Sequence, residues 1–272
     1  MCQTTYCRSV PIAAKTRLCN EGEMDVMPFG FMEDLLETLK DDAQVREVRI
    51  GAFWTAVWSE NCGLASTITG HDHEVGAPVA QAGSLPGKSA IELCRLTRSE
   101  SVLERCIGIA AVNSLLRPEM DRCREVNAAE VLVSKGAGRR VAVVGHFPFI
   151  PRLRAVVGQL WVLEQRPRPG DLSAEAAAEV LPMADVVAIT GTALANGTMG
   201  ALLALCRPGS LVMVLGPTTP LTPLWFDYGV DLVSGSRVVN PPEVLHMVGE
   251  GAVFTQLHRR GVRLLTMSKG GV

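Results

Sequence analysis

The chain has 272 residues, a hydrophobic content of 47% and a formal net charge of −2. That is enough apolar material for a full core in one large or two modest domains. The charge argues against a nucleic-acid footprint, and no apolar run is long enough to span a membrane, so neither nucleic acid nor membrane is an expected partner.

Residues 1–27 show no periodicity and read as a loosely held arm. Arg8, Lys15 and Arg17 occur there without the apolar stretch of a secretory signal, so the expected compartment is the cytoplasm. "FMEDLLETLKDD" follows as a helix with Phe31, Leu35, Leu36 and Leu39 on one face. "VREVRIGAFWTAVWSENCGLAST" reads as two antiparallel strands around Gly51 and Ser59–Gly63. Residues 70–88 are polar and rich in turn formers. Three helices come next, each with its own start signal: Ser89 with Glu92, Ser99 or Ser101 before "VLERCIGIAAVNSLL", and Asn127 with Glu130.

From Arg140 the pattern changes to short, wholly apolar strands alternating with helices. "RRVAVVGHF", "LWVLEQ", "DVVAITG" and "SLVMVLG" are the kind of strand that is covered on both faces, and "GVDLVSG" and "VRLLTMS" extend the series. Between them, "DLSAEAAAEVLP" reads as a helix capped by Ser173, "NGTMGALLALCRPG" as one that starts near Asn196-Gly197-Thr198, and "PPEVLHMVGEGAVFTQLHRRG" as helical. This alternation means an α/β fold with a doubly wound, mostly parallel sheet. The two halves of the chain should meet within residues 120–140.

In such a sheet the ligand crevice lies beyond the carboxyl ends of the strands. Four ends collect small, hydroxylated or ionisable residues: Gly145-His146-Phe147-Pro148, Glu164, Thr190-Gly191-Thr192 and Gly216-Pro217-Thr218-Thr219. Asn196-Gly197-Thr198, at the start of a helix, adds unpaired N–H groups and a positive dipole end for an anion. The alternative is that Asn196 only caps and the glycines only turn the chain. His146 suits a general base or metal ligand, or else is a neutral histidine bonded within its loop. Asn113, on an apolar helix face, either orients a ligand from the first half or caps a neighbouring loop.

A dinucleotide fits poorly. Glu164 has the spacing of a ribose-binding acid, but bulky residues follow Gly145 where the phosphate-binding glycines belong. Otherwise Glu164 pairs with Arg166 or Arg168. His71-Asp72-His73 needs further ligands to hold a metal, because neighbouring side chains in an extended loop diverge. Cys2, Cys7 and Cys19 form no known metal-site spacing, and the five other cysteines read as core residues. There is no serine nucleophile elbow and no P-loop.

"VAVVGHFPF", "VLEQRPRPGDL", "ADVVAITGTALANGT", "VLGPTTPLTPLWFDYGVDLVSG" and the late "GEG" resemble the heavy-metal chelation family, and "RIGAFWTAV", "GLAST" and "ERCIGIAAVNSLL" resemble the domain that precedes it. The resemblance implies a smaller α+β domain over 28–125, like the N-terminal domain of enolase, then a Rossmann-like domain over 126–272. It also implies an interdomain site, with His146, Glu164, Thr190, Thr192, Asn196 and the Gly216-Pro217 turn facing Asn113. The leading expectation is a protein that holds a small anionic ligand, a metal chelate or chelator precursor, with Phe147, Gly191, Gly197 and Thr198 among the contacts. His146 and Glu164 would then move protons, or His146 would ligate a divalent or heavy metal ion. Two other readings stay open: an enzyme with a nucleotide or S-adenosylmethionine-like cofactor, and a simple metal-binding protein. A homodimer is compatible with so apolar a sheet.

Overall fold

The structure is a computed structural model and describes residues 30–69 and 77–270. The N-terminal arm with Cys2, Cys7 and Cys19, and the His71-Asp72-His73 triplet, lie outside the described residues.

The first half holds helix α1 (Phe31–Thr38), strands β1 (Glu47–Ile50), β2 (Trp54–Trp58) and β3 (Cys62–Ser66), and helices α2 (Ala90–Cys94) and α3 (Val102–Leu115). The segment read as two strands is a three-stranded antiparallel sheet, β1-β2-β3. The turns at Gly51–Phe53 and Ser59–Asn61 cut it into three short pieces instead of two longer ones. The helix starts follow the sequence: Ser89 Oγ accepts the Glu92 N–H at 3.2 Å and Ser101 Oγ accepts the Glu104 N–H at 3.4 Å.

The second sheet has eight strands in the order β4-β11-β10-β9-β8-β5-β6-β7. They are β4 (Cys123–Arg124), β5 (Arg140–Val144), β6 (Gln159–Glu164), β7 (Leu172–Ser173), β8 (Val186–Thr190), β9 (Leu211–Leu215), β10 (Leu232–Val238) and β11 (Val262–Ser268). From β10 to β7 every pairing is parallel, and β11 runs antiparallel to both β10 and β4. The chain passes from β5 to β6 on one side and returns to β8 on the other, so strand order reverses at β5/β8.

The apolar strands are covered on both faces because alternate residues enter different cores. Val141 and Val143 of β5 and Val186 and Ala188 of β8 pack with Leu132 of α4 (Ala128–Gly136) and with Ile150 and Leu153 of α5 (Ile150–Arg154). Ala142, Val187, Ile189 and Val214 face the other way and share one core with Phe31, Ile107 and Ala110 of the first half. On top of that shared core, Phe31 of α1 stacks on Trp225 with ring centroids 3.7 Å apart, and the Tyr228 hydroxyl donates to Asp34 at 2.5 Å.

Two helix readings change, and a third run proves helical in two pieces. "DLSAEAAAEVLP" opens as edge strand β7 and becomes a 3-10 turn, the one-turn helix α6 (Ala177–Val180) and another 3-10 turn. Ser173 makes no side-chain cap; its hydroxyl donates to the Glu175 carboxylate, and its backbone pairs with Glu164 of β6. The run from Pro241 is two helices, α9 (Pro241–Gly249) and α10 (Phe254–Arg260), broken where Gly251 adopts φ +78°. Asn196 ends α7 (Thr192–Ala195) instead of starting α8 (Met199–Ala204); Thr198 holds that start, without a side-chain cap. Asn196 is in a helical conformation, continuous with the turn before it, so its amide cannot take up the extended N-cap geometry.

Candidate functional site

The parallel register sets the predicted residues in a row. Val144 of β5 pairs with Leu163 of β6 and Ile189 of β8, and Thr190 pairs with Leu215 of β9. One step further, Glu164, Gly145, Thr190 and Leu215 stand level on adjacent strands, spaced by roughly 4.8 Å each, and Gly216 is the next residue out.

Gly145 leaves the sheet at φ +105°, and a Cβ there would lie 3.1 Å from the Thr190 Cβ. Only glycine suits that exit beside a β-branched neighbour. The next residue, His146, is held at both its backbone and its ring. Its N–H donates to Glu164 Oε1 at 2.6 Å, and the other Glu164 oxygen accepts the Gln165 N–H at 3.1 Å. Neither Arg166 nor Arg168 is the partner that the sequence offered to Glu164 in these bonds; its carboxylate ties two backbone segments together.

The His146 ring meets a residue that sequence reasoning missed. Nδ1 lies 2.8 Å from Asp171 Oδ2, which also accepts the Arg168 N–H at 3.2 Å. The Asp171 side chain is 2% exposed and that of His146 is 21% exposed. A carboxylate only accepts, so Nδ1 donates to it, and in the neutral imidazole Nε2 is then the acceptor nitrogen. A histidine fixed this way presents one defined acceptor, the arrangement used both by general bases and by metal-ligating histidines. Phe147 stacks on Phe149, with centroids 5.0 Å apart, and its ring edge stays beside Gly145, 3.2 Å from where a Cβ there would lie.

On β8, the Thr190 and Thr192 hydroxyls bond each other at 2.9 Å. Between them, Gly191 is pressed against the next loop: a Cβ there would lie 2.4 Å from Thr219 Oγ1 and 2.8 Å from the Thr219 backbone nitrogen. Gly197 and Thr198 are exposed beyond α7 and Asn196 is half-buried, all three farther along the chain from the strand end. The anion-binding helix start expected at Asn196 falls instead on a helix of six residues.

The first half reaches down onto these loops. Arg105 Nε donates to the Ala195 carbonyl at 2.5 Å. Asn113 Nδ2 donates to Leu64 O at 2.8 Å and to Thr218 O at 3.3 Å, and Ser66 N–H donates to Thr218 Oγ1 at 2.9 Å. Asn113 therefore fastens the Gly216-Pro217-Thr218 loop to the first half. His146, Glu164 and Thr190 form the first group, at the ends of β5, β6 and β8, and Asn113 meets the strand ends beyond it, at the seam with the Thr218 loop that follows Gly216 and Pro217. The two cavities at that seam, about 720 and 260 Å³, are lined by none of the first group, and Asn113 borders the smaller.

Among the described residues no three or more His, Cys, Asp or Glu side chains are grouped to hold a metal ion. Asp171 and Glu164 are already occupied by His146 and by backbone donors. His146 alone does not make a bare-ion site, so no step is routed through a resident metal. Likewise, no helix among the described residues is long and apolar enough to cross a membrane.

The profile of the DUF364 family, described as "Putative heavy-metal chelation", matches residues 127–267, and a second profile with the same description matches residues 32–116. An uncharacterised protein of Methanocaldococcus jannaschii is 26% identical over 165 residues. That alignment takes in 58% of this chain and 64% of the relative, so the chain spans less than two thirds of the relative's length. Two crystal structures of DUF364 proteins of unknown function share the fold. The one from Desulfitobacterium hafniense has a TM-score of 0.76 and 24% identity, with 89% of this chain and 99% of that one covered. The one from Pyrococcus horikoshii has a TM-score of 0.71 and 20% identity, with 86% and 97% covered. On the extent of the first profile match, this chain belongs to the DUF364 family.

Proposed function

We propose that this protein binds a small anionic metal chelate, or the chelator itself, over the carboxyl ends of β6, β5 and β8, with His146 as the group that touches the ligand. The supporting observation is the Asp171–His146 pair, a buried carboxylate orienting a half-exposed imidazole where strand order reverses. The metal then arrives as cargo inside its own ligands. His146 Nε2 fills a vacant coordination position or takes a proton from the chelator, and whichever hydroxyl of the Thr190–Thr192 pair accepts from the other donates its own proton to an anionic oxygen of the ligand. Arg105 and Asn113 bring the first half over these loops, which makes the ligand's surroundings interdomain. Glu164 keeps the His146 backbone in place. With its two oxygens taken up by backbone N–H groups, it is not free to hold a ribose, which favours the chelate over a nucleotide.

The test is calorimetric titration with nickel citrate, with citrate alone as comparison. Replacing an orienting carboxylate of this kind costs about 10–100-fold in metal affinity. Asp171→Ala should weaken nickel citrate binding on that scale, and His146→Ala should abolish it. Wild-type affinity in both variants, or no heat with either titrant, defeats the proposal.

A further inference from the structure

The geometry points to a second binding site, in the larger seam cavity, for a small organic anion with an apolar body, such as an aryl or alkyl phosphate or carboxylate. The cavity is about 720 Å³, within the range of small-molecule sites. Its wall comes from both halves: the end of α1 and the residues after it, the end of α3, and the Leu221–Asp227 segment. Leu115, Leu221 and Phe226 are buried and supply an apolar floor.

The rim is charged, and its pairing is uneven. Arg117 is balanced by Asp41 at 3.4 Å and Glu60 at 3.2 Å, and Arg122 by Glu119 at 3.3 Å while it lies over the Phe226 ring. Lys40 and Lys269 also border the cavity, both exposed, and neither has an ion-pair partner among the described residues. In sequence they are more than two hundred positions apart; the docking of α1 on the Pro223–Tyr228 turn brings them to one opening. Against them stands one acid without a salt bridge, Asp227. Two unpaired ammonium groups above an apolar floor match an anionic head on an apolar body. A neutral ligand would gain nothing from the two ammonium groups, which water solvates, and inorganic phosphate would leave the floor in water.

The site lies apart from His146, which does not line it, so it stands or falls independently of the strand-end reading. The probe is phenyl phosphate, titrated calorimetrically into the full chain, with inorganic phosphate and benzyl alcohol as the two halves of its chemistry. Wild type should bind phenyl phosphate at one site per chain more tightly than either half, and added salt should weaken the binding. The exposed pair Lys40→Gln/Lys269→Gln should keep the wild-type melting temperature and bind about tenfold more weakly or worse, the scale of a lost charge-assisted contact. His146→Ala should bind as wild type does. Undiminished binding in the double variant, absence of saturable binding to wild type, or loss of binding in His146→Ala overturns the site.

Discussion

Thr218 and Thr219 are neighbours in the loop after β9, and both are buried, at 1% and 2% exposure. The same change, Thr→Val, should nonetheless have opposite effects at the two positions. Thr218 Oγ1 accepts the Ser66 N–H at 2.9 Å and lies 3.1 Å from the Ser66 hydroxyl. Thr218→Val keeps the shape but leaves the Ser66 N–H without its acceptor, at the point where the first half is fastened to the second. Stranding a buried donor costs about 1–3 kcal/mol. Taking about 2 kcal/mol, the melting temperature should fall by roughly 4–8 °C for a chain of this size.

Thr219 Oγ1 has no hydrogen-bond partner among the described residues and sits against Gly191. Its hydroxyl is desolvated for no return, so Thr219→Val should be neutral or stabilising by up to about 1 kcal/mol. Urea unfolding of both variants, with amide exchange at Ser66, tests the pair. Exchange at Ser66 should quicken in Thr218→Val and stay unchanged in Thr219→Val. Equal destabilisation by the two changes would refute the reasoning, since it would mean that hydroxyl partnership does not govern this loop.

Gly191→Ala should be strongly destabilising, because the new Cβ would fall 2.4 Å from Thr219 Oγ1 and 2.8 Å from a backbone nitrogen; overpacking of this kind costs about 1–3 kcal/mol, read as a lower urea midpoint. Asp185 accepts from the Arg140 side chain and backbone and from Arg207, and the Arg140 hydrogen bonds hold its carboxyl well below the usual range. Its folded pKa is depressed, so its stabilising effect is complete above the ordinary carboxylate value near 3.8 and is lost as pH falls below that towards the folded value. Asp185→Asn should therefore flatten the acid side of the stability profile, measured as urea midpoint against pH. Burial pushes the Cys62, Cys94 and Cys206 thiols up to about 12. They should resist alkylation at neutral pH until the chain is unfolded, as peptide mapping by mass spectrometry would show.

The sequence made some of this legible for local reasons. β5, β8 and β9 are continuous apolar runs covered on both faces, and the caps at Ser89, Ser101 and Asn127 act within three residues of themselves. Strand direction is not local. Periodicity marks Val262–Ser268 as a strand but says nothing of which way it pairs, and it runs antiparallel. β4 has only two residues and exists because β11 offers an edge to it. His146, Glu164 and Thr190 were visible because they sit at strand ends. Asp171 was not, since it lies 25 residues from His146 and seven past its own strand. A hint was present in the sequence: the Pro-Gly turn at Pro169-Gly170, with φ +91° at the glycine, folds the chain back so that Asp171 can reach β5.

The two matched regions are not two independently built bodies. One core runs from Phe31 and Ile107 through Ala142, Val187 and Val214, so one face of the large sheet is covered by the first half. Remove that half and those residues meet water, while Thr218 and the Ala195 carbonyl lose Ser66, Asn113 and Arg105. The loops after β8 and β9 owe their positions to contacts from residues more than eighty positions earlier. The loop after β5 is different: Glu164 and Asp171, both from the second half, fix His146. The row of strand ends is therefore set from two sides: the second half places the imidazole and the Thr190–Thr192 hydroxyl pair, and the first half fastens the Ala195 turn and the Thr218 loop.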